Sequence, residues 1–528
     1  MQKRHGGCVL DTKGRGLWNL VEARARATPD ALCCLDESGR SLSFAGFRDA
    51  AIRAAAGLRD LGVGDGYPVT WILPTRIVSL VLFAALARLS ALQNPIIPIY
   101  RKREVDFITR QTGARMIIVP RTFRGFDYEA MARELAAERS NLTVRIVEHE
   151  LPEGDPASLP PLPRSSSEAP RWAFYTSGTT ADPKGVLHTD QTLMATAAGY
   201  ARCLDLRPAE RMALVFPVTH VGGPICSMAS LMSGAAQLVV EKFGPEAVDF
   251  LAKCGVHHAG SGTAFFNVYL EAQRRSPRRS IFPEIRTFPG GGAPKPPTLH
   301  FEMKNEIGGQ GIVSSYGLTE CPLVTMCGMG DPDDKLAVTE GRPNPPEAEI
   351  RVVKSDGARA LPGEEGELRV RGPQLFKGYV DARLDASAFD TDGFFRTGDL
   401  GHLDLDGYAV ITGRIKDVII RKAENISAKE IEDLLYEHPK VADVAVIGVP
   451  DAASGERVCA VVACRRPDDP LAFEEMVAYL KAHSLMVQKI PEQLEIVDRV
   501  PRNPSGKILK NRLRERFSGE RKDEDDSR

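Results

Sequence analysis

The sequence predicts an α/β protein of at least two domains, and three features predict it: length, an alternation of helical and short apolar segments through the first half, and a change to strand-rich texture after about residue 347. A chain of 528 residues is longer than one compact core organises, so more than one domain is expected. Helical stretches at 49–61 and 129–139 alternate with apolar runs such as 116–119, which is the pattern of layered α/β structure. The most apolar run, 77–87, is broken by Arg88 and is too short to span a bilayer. Residues 151–170, rich in Pro and Ser, read as a surface linker into a strand at 172–175. Strands follow at 348–353 and 367–370, then a hairpin about 404–407, where Asp406-Gly407 suits a tight turn.

After Gly413 the chain begins a second compact unit. A helix is expected to start at Ser427, with Glu430 completing a capping box. Strands at 444–449 and 457–463 and a helix at 473–483 follow, and the domain boundary is placed at 413–416. The tail from Ser518, rich in Glu, Lys and Asp, is expected to be disordered.

Composition narrows the partners. Hydrophobic residues make up 43% and charged residues 26%, and 68 basic residues face 70 acidic ones. Such a balance gives no field to gather nucleic acid or an anionic membrane, so phosphate binding must be local. The first 16 residues lack the apolar core of a secretory signal. Ten cysteines occur without CxxC pairs or zinc spacing, and Cys459 and Cys464 lie in an apolar run. A soluble, cytoplasmic protein with buried free thiols is expected.

The strongest chemical signal is Tyr175-Thr-Ser-Gly-Thr-Thr-Ala-Asp-Pro-Lys-Gly-Val186, a loop after a strand that closes on a lysine. Small residues let backbone N–H groups approach phosphate oxygens, Thr176, Ser177, Thr179 and Thr180 add hydroxyl donors around Gly178, and Lys184 supplies counter-charge. Standing alone, such a loop reads better as a polar turn between elements. It lacks the Gly-Lys-Ser/Thr order of a P-loop, so any phosphate is held by another scheme.

This loop resembles the signature of the adenylate-forming superfamily, which includes acyl-CoA synthetases, aryl and alicyclic acid ligases, amino-acid adenylation domains and luciferases. Further motifs follow in the family's order: Pro217-Val-Thr-His-Val-Gly-Gly223, Gly290-Gly-Gly-Ala-Pro294, Tyr316-Gly-Leu-Thr-Glu320, Gly366 to Gly372, Tyr379, Arg396-Thr-Gly-Asp399, Gly413-Arg-Ile-Lys-Asp417 and Pro504-Ser-Gly-Lys507. The resemblance implies an N-terminal adenylation domain, 1–413, with a small β-barrel-like subdomain, and a mobile α+β C-terminal domain, 414–528, carrying a catalytic lysine. It implies ATP, Mg²⁺ and coenzyme A as the small molecules used, a carboxylic acid as substrate, and a monomer or homodimer.

Within that resemblance each motif acquires a role. Glu320 matches the magnesium ligand, as ATP-bound Mg²⁺ takes one or two carboxylates beside phosphate oxygens. Thr319 would meet a phosphate, Tyr316 and Gly317 would lie against adenine, and Gly291, Gly292, Ala293 and Pro294 would form the adenine wall, where missing side chains permit close approach. Asp399 would accept the ribose hydroxyls with Arg414 nearby. His220 falls where the family lines the acyl pocket, although a lone His is as readily a core residue. Lys507 would reach the α-phosphate and the substrate carboxylate, which is already ionised and needs no base. Lys416 would be the hinge, and Lys422 and Ala423 would border the pantetheine channel.

Four positions depart from the family pattern. Ala423, Ala181, Asp190 and Ala428 stand where Gly, Gly, His and Pro are frequent. Ala423 bears on the acceptor, since an added methyl narrows a backbone channel. After Phe216 there is no carboxylate to pair with an α-ammonium, so amino acids are disfavoured. The remaining pocket segments, 262–266 with Phe265 and Phe266, Leu318, and 321–324, are small or apolar, and point to an uncharged hydrophobic acid. Residues 94–104 resemble bacterial ligases for fatty or alicyclic carboxylates. Two alternatives stay open: an acyl-AMP ligase that delivers to a carrier protein, and a catalytically retired nucleotide-binding homologue.

Overall fold

The computed structural model describes residues 16–162, 168–176, 183–291, 295–421, 424–451, 454–502 and 507–517. The tail from Ser518 lies outside them. So do Ser177, Gly178, Thr179, Thr180 and Ala181 of the phosphate loop, Gly292, Ala293 and Pro294 of the glycine-rich segment, and Lys422 and Ala423.

A six-stranded sheet runs in the order Lys184–His188, Trp172–Thr176, Leu92–Pro95, Pro68–Trp71, Met116–Val119, Thr143–Ile146. All neighbours are parallel except the outer pair, in which Lys184–His188 returns antiparallel to Trp172–Thr176. The inner strands are largely buried on both faces, as parallel strands covered by helices must be, and their buried polar residues Thr70, Gln93 and Asn94 are hydrogen-bonded. A second, four-stranded sheet joins Arg211–Leu214, Ala236–Val239, Leu32–Asp36 and Ser41–Ser43. Between these two sheets lies the largest apolar core, which takes in Leu17, Phe44, Phe83, Trp172, Leu193 and Met228.

The helices that fill this core start where the sequence supplies a cap. Helix Phe44–Asp60 begins five residues before the expected position, because the Ser43 hydroxyl accepts from the Gly46 N–H at 3.1 Å. Helix Asp190–Cys203 follows the phosphate-loop hairpin and is capped reciprocally: Thr189 Oγ1 accepts from Thr192 N, and Thr192 Oγ1 accepts from Thr189 N, both at 3.1 Å.

A third sheet, Phe288–Gly291, Ile312–Leu318, Cys321–Met326 and Arg342–Pro343, carries two of the sequence motifs. The strand-rich region is a four-stranded antiparallel meander, Glu349–Val353, Gly366–Arg371, Phe395–Leu403, Ala409–Arg414, on a core that includes Phe376, Tyr379 and Phe395. Its last turn, at 404–407, is the expected hairpin; Asp404 Oδ1 accepts from the N–H groups of Asp406 and Tyr408, each at 2.9 Å.

Beyond Arg414 a short helical turn, Ile415–Asp417, leads into a final sheet of Glu424–Ser427, Val418–Arg421, Gly455–Cys464 and Val441–Asp451, with Gln493–Ile496 beside Gly455–Cys464. Each apolar cluster lies wholly before residue 412 or wholly after residue 418. Helix Ala428–Tyr436 is capped by the Ser427 hydroxyl, which accepts from Glu430 N at 3.4 Å. The expected reciprocal half of that capping box is replaced. The Glu430 carboxylate turns to Lys489 at 2.6 Å, and Ser427 is held as a strand residue opposite Val418. Of the nine described cysteines all are free; Cys459 is buried and Cys464 partly so. Among the described residues no helix is long and apolar enough to cross a membrane.

Candidate active site

Three strand ends converge to build the site. The first is the hairpin flanking the phosphate loop: its two strands close on each other with Thr176 opposite Lys184. A side chain at Gly185 would collide with the Tyr175 ring 2.6 Å away, so only glycine lets the strands close there. Lys184 Nζ lies 5.5 Å from the ring centroid of Tyr379, whose own segment bridges to Val186.

The second is the hairpin Ile312–Leu318/Cys321–Met326, which presents Tyr316, Gly317, Thr319 and Glu320 at its tip. Glu320 is only 9% exposed, and its Oε1 accepts the Tyr379 hydroxyl at 2.9 Å. Tyr379 therefore stands between Lys184 and Glu320 and fixes the carboxylate. The Thr319 carbonyl accepts from His188 Nε2 at 2.8 Å, while His188 Nδ1 meets Thr192 Oγ1 at 2.9 Å. Burial pushes this imidazole down to about 4, so it acts as a neutral strut. Neither Tyr379 as the holder of Glu320 nor His188 was assigned a role from sequence. Tyr379 stood within a motif without a partner to suggest its work, and His188 carries no local signal at all.

Third, strands Phe395–Leu403 and Ala409–Arg414 pair Asp399 directly with Arg414. Asp399, 3% exposed, accepts the Tyr316 hydroxyl at 2.7 Å on Oδ2 and the Arg414 Nε–H on Oδ1. A carboxylate has about four lone-pair sites, more than these two donors occupy. Burial and the Asp399 charge push the Tyr316 phenol well above its ordinary value, which keeps it a donor.

Lys507 comes to this third cluster from the C-terminal part of the chain. Its side chain keeps solvent contact, yet enough protein surrounds it that burial, then the charges of Arg414 and Lys416, push its pKa down to about 8 against the pull of Asp399 and Asp417. Lys416 is lowered likewise, by burial and by Arg414. Three cations thus crowd two carboxylates, an arrangement that an incoming anion relieves.

The glycines of the second and third motifs are explained by protein contacts. A Cβ on Gly290 would stand 2.6 Å from Phe266 Cζ, one on Gly291 2.1 Å from the Ser315 carbonyl oxygen, and one on Gly317 2.4 Å from Leu323 N. At Gly290 and Gly291 the absence of a side chain is required by neighbouring protein atoms, Phe266 and Ser315. Phe265 and Phe266 belong to the second apolar core, where Phe265 lies 4.6 Å from Phe243 and Phe266 6.3 Å from Phe288 between ring centroids.

His220 stands at the entry to helix Gly222–Ser233, edge-on to Phe216 at 6.3 Å, and its Nδ1 accepts from Gly222 N at 3.2 Å. Burial brings it to about 4, so the neutral ring carries its proton on Nε2. Asp190, where His is frequent in the resembling family, accepts from Trp172 Nε1 at 2.9 Å and Leu17 N at 2.8 Å, and so ties the first helix to the phosphate-loop strand.

A divalent cation fits Glu320 in one respect only. One oxygen is held by Tyr379 and the other is left for a metal, and among the described residues no group of three or more His, Cys, Asp or Glu forms a cage. Such a site suits an ion that arrives with its own phosphate and water ligands.

Comparison with known proteins finds relatives along nearly the whole chain. The model of the family described as AMP-binding enzyme matches residues 21–380, and that of the AMP-binding enzyme C-terminal domain matches 430–507. The salicyl-AMP ligase/salicyl-S-ArCP synthetase of Mycobacterium tuberculosis is 31% identical over 95% of this chain and 90% of its own length. The medium-chain fatty-acid–CoA ligase of Escherichia coli is 29% identical over 95% of this chain and 91% of its own. The crystal structure of ATP-bound MatB from Rhodopseudomonas palustris superposes with a TM-score of 0.85 at 26% identity, over 95% of this chain and 99% of that one.

Proposed function

The chain belongs to the AMP-binding enzyme family, the adenylate-forming superfamily of acid-activating ligases, and from that premise we propose that it joins an uncharged hydrophobic carboxylic acid to coenzyme A in two half-reactions at one site. In the first, a carboxylate oxygen attacks the α-phosphorus of ATP, forming the acyl–phosphate bond as pyrophosphate leaves. In the second, the thiol attacks the acyl carbonyl and AMP leaves.

The observation that carries this reading is the convergence of Lys507, Arg414 and Lys416 on Asp399, a cationic cleft beside a carboxylate with acceptor capacity to spare. Asp399, oriented by Tyr316 and Arg414, takes the ribose hydroxyls. Lys184 and the loop before it neutralise the triphosphate, and Lys507 meets the charge that gathers at the α-phosphate. Glu320, held by Tyr379, would hold the magnesium that travels with ATP, and the ion would supply charge neutralisation at the phosphates. His220, neutral, lines the acid's pocket and orients it. Domains 1–413 and 414–528 divide these tasks: the larger binds both substrates, and the smaller delivers Lys507 and then withdraws it about a hinge at Lys416, opening the approach of the thiol along the segment with Lys422 and Ala423.

A panel of carboxylic acids scored for CoA-dependent AMP release tests the reading. Release with a hydrophobic acid is expected. Absence of acid-dependent pyrophosphate exchange across the panel would refute it. A second reading keeps the first half-reaction and changes the acceptor to a carrier-protein thiol; it is favoured by the 31% identity to a salicyl-S-ArCP synthetase and by Ala423. Pyrophosphate release with no CoA thioester selects it.

A further inference from the structure

The chain between strand Arg211–Leu214 and helix Gly222–Ser233 carries both Phe216 and His220. Turn bonds give it a curl: His220 N donates to the Pro217 carbonyl at 2.9 Å, and Gly223 N to the His220 carbonyl at 2.8 Å. Where that curl stands against the sheets is set from a distant part of the sequence. Thr75, 4% exposed, lies between strand Pro68–Trp71 and helix Ile77–Arg88. Its hydroxyl donates to the Phe216 carbonyl and accepts from Val218 N, each at 3.0 Å, across 141 and 143 residues. One side chain thus satisfies a main-chain acceptor and a main-chain donor together, as a hydroxyl can. Val218 is fully buried, so its N–H has no water to turn to.

Thr75 is itself held on both sides. The Ser79 hydroxyl donates to the Pro74 carbonyl at 2.7 Å. Arg76 grips the Glu241 carboxylate with Nε and Nη2 at 2.5 and 3.0 Å, and the Glu148 carbonyl with Nη1 at 3.1 Å. Glu241 lies just past strand Ala236–Val239 of the four-stranded sheet, and Glu148 just past strand Thr143–Ile146 of the six-stranded one, so residues 74–76 are tied to both sheets at once. The segment on the other side of the latch is tight as well. A Cβ on Gly223 would fall 2.2 Å from the Val218 carbonyl oxygen, and the Phe216 ring stands edge-on to His220.

We propose that Thr75 is a positioning residue for the acid: its hydroxyl latches Phe216 and Val218 to the frame made by the two sheets, and the latch sets the stance of the Phe216 and His220 rings against the substrate. Thr75 acts through that segment and not by contact with the acid. Without the hydroxyl a buried N–H and a C=O are left unpaired, so the segment must shift or open to find partners. Tyr316, Asp399 and Arg414, on the nucleotide side of the site, belong to other strands and keep their own bonds. This inference rests on the reading of His220 as a wall of the acid's pocket given above.

The test compares Thr75→Val, which keeps the branched shape and loses the hydroxyl, with Thr75→Ser, which keeps the hydroxyl, in the full chain; Thr75→Ala keeps the test open should Thr75→Val not fold. Pyrophosphate exchange is measured with octanoate, benzoate and cyclohexanecarboxylate. KM for the acid is expected to rise about tenfold in Thr75→Val and Thr75→Ala, the order of loss that a buried unpaired N–H brings, while KM for ATP stays within about twofold of the parent. Thr75→Ser should return the acid KM to within about threefold of the parent, a rescue that a loss of packing alone would not give. An unchanged acid KM in Thr75→Val, an equal rise in both KM values, or a Thr75→Ser variant as impaired as Thr75→Val would each overturn the proposal. Hydrogen–deuterium exchange over 216–223, measured without substrates, separates this inference from the functional reading. Should the parent exchange pyrophosphate with none of the three acids, it is the proposed function that fails for them; faster amide exchange in Thr75→Val with parent-like exchange in Thr75→Ser still supports the latch, and equal rates in all of the proteins sink it.

Discussion

The depressed pKa of Lys507 makes a prediction about the alkaline limb of the pH profile. The group is pushed to about 8, whereas an ordinary lysine titrates near ~10.4. Its lowered value means that the free protein loses this charge early: at pH 9 about one-tenth of the molecules would keep the ammonium, against about 96% for an unshifted lysine. If that ammonium receives the α-phosphate, kcat/KM for ATP in the pyrophosphate-forming half-reaction must fall about tenfold per pH unit above 8, since this ratio reports groups of the free enzyme. The turnover number should stay flat to higher pH, because bound triphosphate favours the protonated amine and raises its pKa. Lys507→Arg supplies the control. A guanidinium does not deprotonate in this range, so the limb should vanish even if the rate drops. Initial rates of ATP–pyrophosphate exchange between pH 6.5 and 10 decide the matter. A limb that persists unmoved in Lys507→Arg, or that appears equally in acyl transfer from supplied acyl-AMP, would refute the assignment.

Three further perturbations probe separate parts of the site. Lys507→Ala should slow pyrophosphate formation about 10²–10³-fold, as loss of a preorganised charge contact does, while largely sparing acyl transfer from supplied acyl-AMP; equal loss in both steps would place the lysine elsewhere in the mechanism. Tyr379→Phe removes the 2.9 Å hydrogen bond that orients Glu320, so the magnesium needed for half-maximal exchange should rise about tenfold, and an unchanged magnesium titration would put Glu320 outside the metal site. Gly317→Ala sets a methyl 2.4 Å from the Leu323 nitrogen, and chemical denaturation should show a loss of about 1–3 kcal/mol; an unaltered transition would mean that the hairpin tip yields freely.

Much of this was legible in the chain because its signals are local. The strand at 116–119 and the hairpin at 404–407 are set by short-range patterning and turn chemistry, and both appear where expected. Helix Phe44–Asp60 starts earlier than expected because its cap, Ser43, is itself the last residue of a short strand, Ser41–Ser43, rather than part of a loop. The grouping of Tyr316, Asp399 and Arg414 came from motif order, but the hydrogen bonds that make it a unit span 83 residues in one case and 15 in the other. No periodicity encodes those. Tyr379 holding Glu320 across 59 residues belongs to the same class: tertiary neighbours whose sequence positions carry no mutual mark.

The pairing of Asp399 with Arg414 also locates the pivot required by a two-state mechanism. Arg414 is the last residue of a strand locked to Phe395–Leu403, and its side chain is committed to Asp399. Three residues on, Asp417 pairs instead with Arg514 at 2.9 Å, and Glu432 holds Lys510 at 2.7 Å, so both carboxylates move with the C-terminal helix Lys510–Phe517 that follows Lys507. The rotation proposed above would therefore fall between Arg414 and Asp417. A turn there would leave Asp399, the proposed ribose acceptor, supported by Tyr316 and Arg414 while removing Lys507, so the nucleotide half of an acyl-adenylate would stay anchored through the exchange of one reaction for the next. A pivot one strand earlier would break the Asp399 pair and release the intermediate along with the lysine.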